Sequence, residues 1–341
     1  MWRLRDETLD ERGVVAIIVA LLLTVLCGIA AFVVDAAAVY AERRELQNGA
    51  DAGALAVAQD CAMGDCGSYT STAAGLADAN SEDGASNVDD VTIDLAARTA
   101  RVSTSTNDPE GGTEVPFRFA PVFGIGGENV DASATAQWGP LSHGAGLPLA
   151  ISMCEWERMV GDLTDLPSAT LTIAFHDGNN AEPCNGPAGQ DIPGGFGWLD
   201  ESGCATDITV DGGGTTASSN TGASVPAGCS LADFPLGTPI LFPIFDDADG
   251  IGTNGTFHVV GWAALELSAY KLAPGNQWTA GSPTCPTAPT PAPGGGGNAA
   301  PGGGSDSVCL IGRFVSYFEA DGQVGGTGLP NFGVQTAELI A

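Results

Sequence analysis

Basic residues are scarce in this chain of 341 residues. Eleven Lys and Arg stand against 41 Asp and Glu, so the formal net charge is −30, and Lys271 is the only lysine. Proteins that bind phosphate backbones rely on clustered Lys and Arg, so this composition excludes a nucleic-acid-binding protein. The acidic balance is typical of a solvated surface and says little about the fold.

Residues suited to catalysis and metal binding are also few. The histidines are His143, His176 and His258, and no G-x-S-x-G nucleophile motif accompanies them. The paired C-x-x-C or Cys/His spacings typical of zinc sites do not occur. Since no acid, base and nucleophile converge in the sequence, we expect a protein that is not an enzyme.

Long apolar runs are absent except for one near the N-terminus. Residues Gly13 to Val34 carry no charge, and as a helix they span roughly 33 Å, enough to cross the core of a bilayer. A cleavable signal peptide has a shorter apolar core followed by a small-x-small site. Here helix-forming residues continue after Asp35. The sequence therefore predicts an uncleaved anchor whose helix continues to about Gln59.

The helix beyond the apolar run carries a stripe of small and apolar residues. Leu46, Ala50, Gly53 and Val57 are spaced i, i+4, i+7 and i+11, which places them on one face. This stripe either packs on the chain's own soluble part or accepts a helix of a partner protein. We expect the first arrangement.

Cysteines are the best indicator of cellular compartment. Cys27 lies within the apolar run, and the other eight follow the stem. An even number of scattered cysteines behind a membrane anchor predicts four disulfides in an oxidising compartment. The first two are close enough to pair locally, a bond between the last two would close a loop, and the remaining pairings stay open. The predicted disulfide cysteines are Cys61, Cys66, Cys154, Cys184, Cys204, Cys229, Cys285 and Cys309.

The orientation of the anchor follows from the cysteines and, more weakly, from charge. Disulfides place the residues beyond about 40 outside the cell. Arg3, Arg5 and Arg12 precede the apolar run, and Arg43 and Arg44 follow it, a slight positive-inside bias. We expect a single-pass cell-membrane protein with a cytoplasmic N-terminus and an extracellular bulk.

The fold class predicted for the whole chain is α+β. A long N-terminal transmembrane helix (1–60) precedes a small α/β module (61–140) and a β-rich, disulfide-stapled domain (141–341). Within the last, residues 284–305 are rich in Pro, Thr and Gly and predict a disordered surface loop.

Alternation of apolar and polar residues places the elements of the soluble part. The module is predicted to contain a helix at 70–80, a hairpin of strands 87–95 and 99–105, a short helix or 3₁₀ turn at 116–123 with Pro116 at its N-terminal position, and a strand at 129–138. Gly139 and Pro140 are expected to begin a linker. The β-rich domain is predicted to contain strands at 147–152, 169–175, 239–245, 256–267 and 309–318 and a short helix at 154–160.

Two segments of the β-rich domain are candidate binding sites. Asp247, Asp249 and Asn254 place oxygen ligands among glycines, as calcium loops do, although an acidic hairpin loop without a metal fits the same residues better. Phe196 and Trp198 form an aromatic cluster that is either core packing, which we expect, or an exposed contact surface. We expect no cofactor, with calcium as the open alternative.

A further pattern follows the apolar run, namely Glu45-Leu-Gln-Asn48 and then Ala50-Asp-Ala-Gly-Ala-Leu-Ala56. Over roughly residues 8 to 60, this pattern and the apolar run resemble the N-terminal segment of TadE/TadG-like proteins of Flp pilus assembly. Three later segments resemble the ectodomain of TadG-related proteins from high-GC Gram-positive bacteria. They are Pro148–Cys154, Gly194–Asp200 and Pro243–Phe245.

The resemblance implies a membrane-anchored accessory protein of the tight-adherence (Tad) pilus or secretion machinery, structural rather than catalytic, with other Tad/Flp pilus proteins as partners. Prepilins carry Glu five residues after the processing glycine, whereas position 18 here is Ile, which argues against cleavage after Gly13 and assembly as a pilin. The alternative function is an extracellular binding module or adhesin, and a secreted hydrolase is the third hypothesis.

Overall fold

The computed structural model describes residues 8–107, 111–160, 170–174, 184–185, 191–192, 195–200, 203–220, 225–249, 255–273, 277–285, 308–326 and 328–340. Contacts within the chain group it into two compact units. Unit 1 comprises Met1–Val57, Ser68–Ala136 and Leu339–Ala341, and unit 2 comprises Ala58–Gly67 and Gln137–Glu338. Independent folding of the segments 1–60, 61–140 and 141–341 stays a prediction.

Helices dominate the beginning of the chain. Helix α1 runs without interruption over Thr8–Ala62, three residues beyond the predicted end, and α2 spans Tyr69–Ala79. Both are rich in Ala, and α1 is also rich in Leu and contains no proline, which explains why neither is broken. The residues of α1 up to Val57 belong to unit 1.

Two hairpins and the start of a long strand complete unit 1. Strands β1 (Asn87–Asp94) and β2 (Thr99–Ser105) form the predicted antiparallel hairpin, and β2 pairs with β5 (Asp131–Gly146). A smaller hairpin is formed by β3 (Val115–Pro116) and β4 (Gly127–Glu128).

Two predictions for this region are wrong. Pro116 lies in β3, so the predicted start is wrong, although the 3₁₀ turn that was one of the two expected forms is present over Ala120–Phe123, where Pro121 takes the early position that suits proline. Strand β5 also continues through Gly139 and Pro140, where a linker was expected. Pro140 can stay in a strand because its carbonyl oxygen still accepts the backbone N–H of Gly325 at 2.7 Å.

Unit 2 is mainly strands, with α3 over Met153–Val160 and a 3₁₀ turn at Leu231–Asp233. The remaining strands are β6 (Leu149–Ser152), β7 (Leu171–Ala174), β8 (Cys184–Asn185), β9 (Asp191–Ile192), β10 (Phe196–Trp198), β11 (Thr206–Thr209), β12 (Thr215–Ser218), β13 (Pro239–Asp249), β14 (Thr256–Lys271), β15 (Thr279–Ala280), β16 (Cys309–Val315), β17 (Tyr317–Phe318), β18 (Gln323–Val324) and β19 (Val334–Ile340).

An eight-stranded sheet organises unit 2 in the order β10-β6-β13-β14-β16-β7, with β12 and β15 also paired to β14. The pair β6–β13 is parallel, whereas β13–β14 is antiparallel. Strand β14 is buried on both faces, as its long apolar run requires. Beside this sheet, β5 pairs antiparallel with β11 and β18, and β17 pairs parallel with β19.

The core of unit 2 has two clusters of buried side chains. One contains Phe234, which packs edge-on against Trp198 and also contacts Tyr270, with ring centroids 6.2 and 5.8 Å apart. The other brings Leu141 of β5 and Val334 of β19 against residues of β13 and β14. The chain is therefore α+β with a β-rich second part, as predicted.

Disulfides close three local segments of unit 2. The described pairs are Cys61–Cys66, Cys204–Cys229 and Cys285–Cys309. Cys154 is also disulfide-bonded, while the side chain of Cys184 lies outside the described part of the chain. From residue 286 onward, the segment 284–305 that was predicted to be disordered also lies outside the described residues.

The Cys204–Cys229 bond closes a loop with a sequence separation of 25 residues, so its removal should destabilise unit 2. Cys204→Ser with Cys229→Ser is expected to lower the free energy of unfolding by about 3 kcal/mol through loop-closure entropy. The free energy of unfolding is measured by denaturant titration of the detergent-solubilised chain, with the fluorescence of the buried Trp198 and Trp262 as the signal. Cys27→Ser is the control, since this free cysteine is exposed and should change little.

Candidate functional site

The first half of α1 exposes an apolar surface along its length. Its most apolar window has a mean hydropathy of 3.1 and no buried residue, and in the described part of the chain it is the one helix long and apolar enough to cross a membrane. The hydroxyl of Thr24 donates to the carbonyl oxygen of Ala20 at 2.9 Å, so even this polar side chain is satisfied within the helix. Such a surface suits lipid rather than water.

Asp35 is the first charged residue after this run, and it is buried, with 6% of its surface exposed. Its carboxylate accepts the backbone N–H groups of Arg118 at 2.7 Å, Phe119 at 3.2 Å and Ala120 at 2.8 Å. A buried carboxylate is costly unless such donors surround it. Asp35 thereby attaches the tip of the β3–β4 hairpin, residues 117–126, to α1.

The base of the same hairpin packs further along α1. Val115 of β3 is buried in a small apolar cluster with the start of β5 and with α1. Its members are Leu46, Val115, Val130 and Ala132, with Ala38 and Val39 packed against them. The hairpin therefore follows α1 from the level of these residues at its base to the level of Asp35 near its tip.

The stripe on α1 packs on the chain's own soluble part, as expected. Leu46, Ala50, Gly53 and Val57 are all buried. The carbonyl oxygen of Leu46 accepts the buried hydroxyl of Thr104 in β2 at 3.1 Å. This face of α1 is thus buried within unit 1 and is not accessible to a helix of a partner protein.

Close approach of α2 to α1 depends on Gly49, because a Cβ there would lie 3.0 Å from the Cα of Ala77. Gly49→Leu is expected to cost about 1–3 kcal/mol of stability through overpacking. Gly75→Leu is the matched control, since Gly75 also lies within a helix but its Cβ would meet open space. It should be neutral or stabilising by up to about 1 kcal/mol. The two variants are compared by thermal unfolding monitored by circular dichroism. Equal melting temperatures for the two variants would contradict the close packing of α2 against α1 at Gly49.

A polar cavity of about 340 Å³ lies on unit 1. Its polar side chains bond one another or the backbone. Gln47 donates to Asp51 at 2.8 Å and to the carbonyl oxygen of Ser133 at 3.3 Å, and Arg101 donates to the hydroxyl of Ser133 at 3.0 Å. These contacts hold α1 and the sheet together, and they leave no nucleophile beside a base among the residues that line the cavity.

The structure places two residues of the predicted calcium loop in a strand. Strand β13 extends to Asp249 because it stays paired with β14, so Asp247 and Asp249 are exposed strand residues and not loop residues. Asn254 lies outside the described residues. Among the described residues, no group of three His, Cys, Asp or Glu side chains could hold a metal ion. Calcium binding therefore stays an untested hypothesis.

The neighbouring Asp246 has a different role. Its Oδ1 lies 2.6 Å from Nδ1 of His258, whose Nε2 lies 3.0 Å from the carbonyl oxygen of Gly213. Both ring nitrogens face oxygen acceptors, an arrangement that favours the doubly protonated ring. The hydrogen bond to Asp246 raises the pKa of His258, and partial burial opposes it more weakly.

This pair should make the stability of unit 2 depend on pH. Because the folded pKa of His258 is raised, its stabilisation is complete below its ordinary pKa of 6.5 and disappears as the pH rises through the folded value. The melting temperature of His258→Gln should therefore lie below that of wild type at about pH 6, and the difference should shrink as the pH rises through the folded pKa of His258. Asp246→Asn should show the same convergence, and a difference independent of pH would contradict the pairing.

Phe196 and Trp198, the candidate aromatic contact residues, are core residues. They lie in β10 with 0% and 1% of their surface exposed. The side chains are therefore packed in the core, the arrangement that we expected for them, and they are unavailable to a partner in this conformation. Strand β10 pairs with β6, which is why this segment lies in the core and not in a loop.

Two features were missed by sequence reasoning. The first is the role of Asp35, whose only local signal is its position directly after Val34. The second is the uncharged segment from Phe119 to Gly126, which lies in the tip of the β3–β4 hairpin and was interpreted only as a short helix or 3₁₀ turn.

Comparison with known families gives one match. Residues 13–60 match the family described as putative Flp pilus-assembly TadE/G-like, the segment that contains the exposed apolar run and the buried stripe. No curated protein and no solved structure matches the chain. The family match and the candidate membrane helix indicate a membrane-anchored, pilus-related protein.

Proposed function

We propose that this chain, whose N-terminal segment is TadE/G-like, is a membrane-anchored accessory protein of Flp/Tad pilus assembly or secretion with a structural role. The match over residues 13–60 carries this proposal, since it covers both the span and its helical extension. The partners are other pilus proteins of the same system.

The anchor supports this role because it does not end at the membrane. Helix α1 leaves the apolar run and enters the core of unit 1 without a break, and its stripe and Asp35 are both buried there. Unit 1 is therefore joined to the membrane span by packed helix rather than by a flexible linker. A stiff connection of this kind suits a protein that holds other parts of an assembly at the membrane surface.

The orientation we propose places the two folded units outside the cell. Disulfides form and persist in oxidising compartments. Three described disulfides follow the span, Cys61–Cys66, Cys204–Cys229 and Cys285–Cys309, and Cys154 is disulfide-bonded as well. Arginines before the run agree with a cytoplasmic N-terminus. The acidic composition keeps such an exposed domain soluble.

A structural role is preferred over an adhesin or a hydrolase. The adhesin hypothesis relied on the aromatic segment or the Asp-rich segment as the contact. Phe196 and Trp198 are in the core, which leaves the exposed Asp247 and Asp249 as the described residues of that hypothesis. For a hydrolase, His143 contacts the hydroxyl of Thr209 and the exposed Asp207, and His258 contacts Asp246 and the carbonyl oxygen of Gly213. Neither histidine lines the polar cavity of unit 1, so the described histidines do not face a substrate-sized site there.

Genetic complementation in the bacterium that encodes the chain tests the proposal. Deletion should reduce the number of pili per cell and surface adherence, and the full-length chain should restore both. Leu22→Arg with Leu26→Arg should fail to restore them, because each Arg at the centre of a membrane helix costs about 2.5–3.5 kcal/mol of insertion free energy. Pili are counted by electron microscopy, and insertion is measured by resistance to alkaline extraction.

The matched control is Leu22→Ile with Leu26→Ile, which keeps the span apolar and should restore pili and adherence. If deletion leaves both unchanged although the chain resists alkaline extraction, the role in pilus assembly is wrong and the anchor stands. If the wild-type chain is extracted from the membrane, the anchor itself is wrong.

A further inference from the structure

An exposed apolar surface is concentrated in the tip of the β3–β4 hairpin. Phe119 is 47% exposed, Val122 84%, Phe123 85% and Ile125 54%. Single exposed apolar side chains are normal on proteins, but four large ones within seven residues form a patch that needs an apolar environment. No acidic or basic residue interrupts the segment from Phe119 to Gly127.

The position of this tip is fixed relative to the membrane span. Asp35 directly follows Val34, the last residue of the apolar run, and its carboxylate holds the backbone of residues 118–120 within 2.7–3.2 Å. The base of the hairpin lies at the level of Ala38 to Leu46. Following the hairpin from base to tip therefore leads along α1 toward the lipid-facing residues.

The backbone of the tip is also prepared for an environment without water. Its N–H groups bond within the tip: Phe117 to the carbonyl oxygen of Gly126 at 3.0 Å, Val122 to Phe119 at 3.2 Å, and Gly124 to Pro121 at 3.0 Å. Asp35 accepts the N–H groups at the base of the 3₁₀ turn. Backbone polar groups in lipid must be satisfied internally, and these hydrogen bonds satisfy the N–H groups named here.

We infer that the tip of the β3–β4 hairpin is a second membrane contact, in which Phe119, Val122, Phe123 and Ile125 enter the interfacial layer of the leaflet from which α1 emerges. Phenylalanine and aliphatic side chains in this layer bury their apolar surface between headgroups and acyl chains. Arg118, exposed beside the tip, lies where a guanidinium can meet lipid phosphate.

A bilayer is the occupant favoured by continuity with the rest of the site. The exposed side chains of Phe32, Val33 and Val34 on α1 directly precede Asp35, so the apolar surface of the tip adjoins the surface that lipid already covers. This inference rests on the proposed membrane anchor. It adds that unit 1 is held against the bilayer at two points, which limits its tilt about the end of the span.

Depth-dependent fluorescence quenching of the full-length chain in lipid vesicles tests the inference. With Cys27→Ser removing the free thiol, Phe123→Cys is labelled with a small fluorophore, and quenching by lipids spin-labelled near the headgroup or near the chain end is compared. Leu95→Cys, an equally apolar and exposed position in the turn between β1 and β2, is the matched control, and Leu22→Cys reports on the span.

We expect the label at position 123 to be quenched several-fold more than the label at 95, mainly by the lipid labelled near the headgroup. The label at 22 should be quenched mainly by the lipid labelled near the chain end. Adding Asp35→Ala should lower the quenching at 123, because the tip loses the acceptor for its three N–H groups.

Two results would overturn the inference, a third would overturn only the positioning role of Asp35, and the three are distinguishable. If the label at 22 is quenched but the label at 123 is no more quenched than that at 95, the anchor stands and the tip faces water or a protein partner. If the label at 22 is not quenched either, the proposed anchor has failed and the tip contact fails with it. If Asp35→Ala leaves quenching at 123 unchanged, Asp35 does not position the tip.

Discussion

The unbroken path of α1 from an apolar environment into a protein core is the constraint on which unit 1 depends. A helix satisfies its own backbone hydrogen bonds, so it can cross from lipid to protein without a change of structure. Its side chains must change instead: they are apolar and exposed up to Val34, and beyond Asp35 one face becomes a stripe of small residues. Gly49 and Gly53 let α2 and β2 approach this face closely. The β3–β4 hairpin and the start of β5 pack against this helix, which continues directly from the membrane span.

Asp35 marks the residue at which this change occurs. A carboxylate next to an apolar run would be expected to be exposed to water. The carboxylate of Asp35 is instead buried, and it accepts hydrogen bonds from three backbone N–H groups. Its negative charge is thus stabilised by backbone dipoles, and no basic side chain is needed in a chain with few of them. Removing the carboxylate would leave those donors without an acceptor, a larger loss than that of an ordinary surface hydrogen bond. The junction between the span and unit 1 is therefore held in a defined geometry by the hydrogen bonds of Asp35.

Local pattern accounts for most of the elements that the sequence predicted correctly. Periodicity over a few residues decided α1, α2 and the β1–β2 hairpin, and the stripe followed from the same periodicity. The junction at Asp35 could not be predicted from local sequence patterns, because the hydrogen-bond partners of Asp35 lie 83 to 85 residues away along the chain. Pairing with a strand far along the chain carried β5 through Pro140, where local residues favour a linker, and pairing with the next strand, β14, carried β13 as far as Asp249, where they favour a loop. Burial of Trp198 also depends on pairing with β6, which no short pattern indicates.

The disulfide between Cys285 and Cys309 has a consequence for the integrity of the molecule. It joins the chain just after β15 to the first residue of β16, with the two Cα atoms 5.5 Å apart. Strand β14 is hydrogen-bonded to both of these strands. A protease that cuts anywhere between the two cysteines would leave both fragments covalently joined and their strands still paired. Such a nicked molecule would migrate as two pieces on a gel only after reduction.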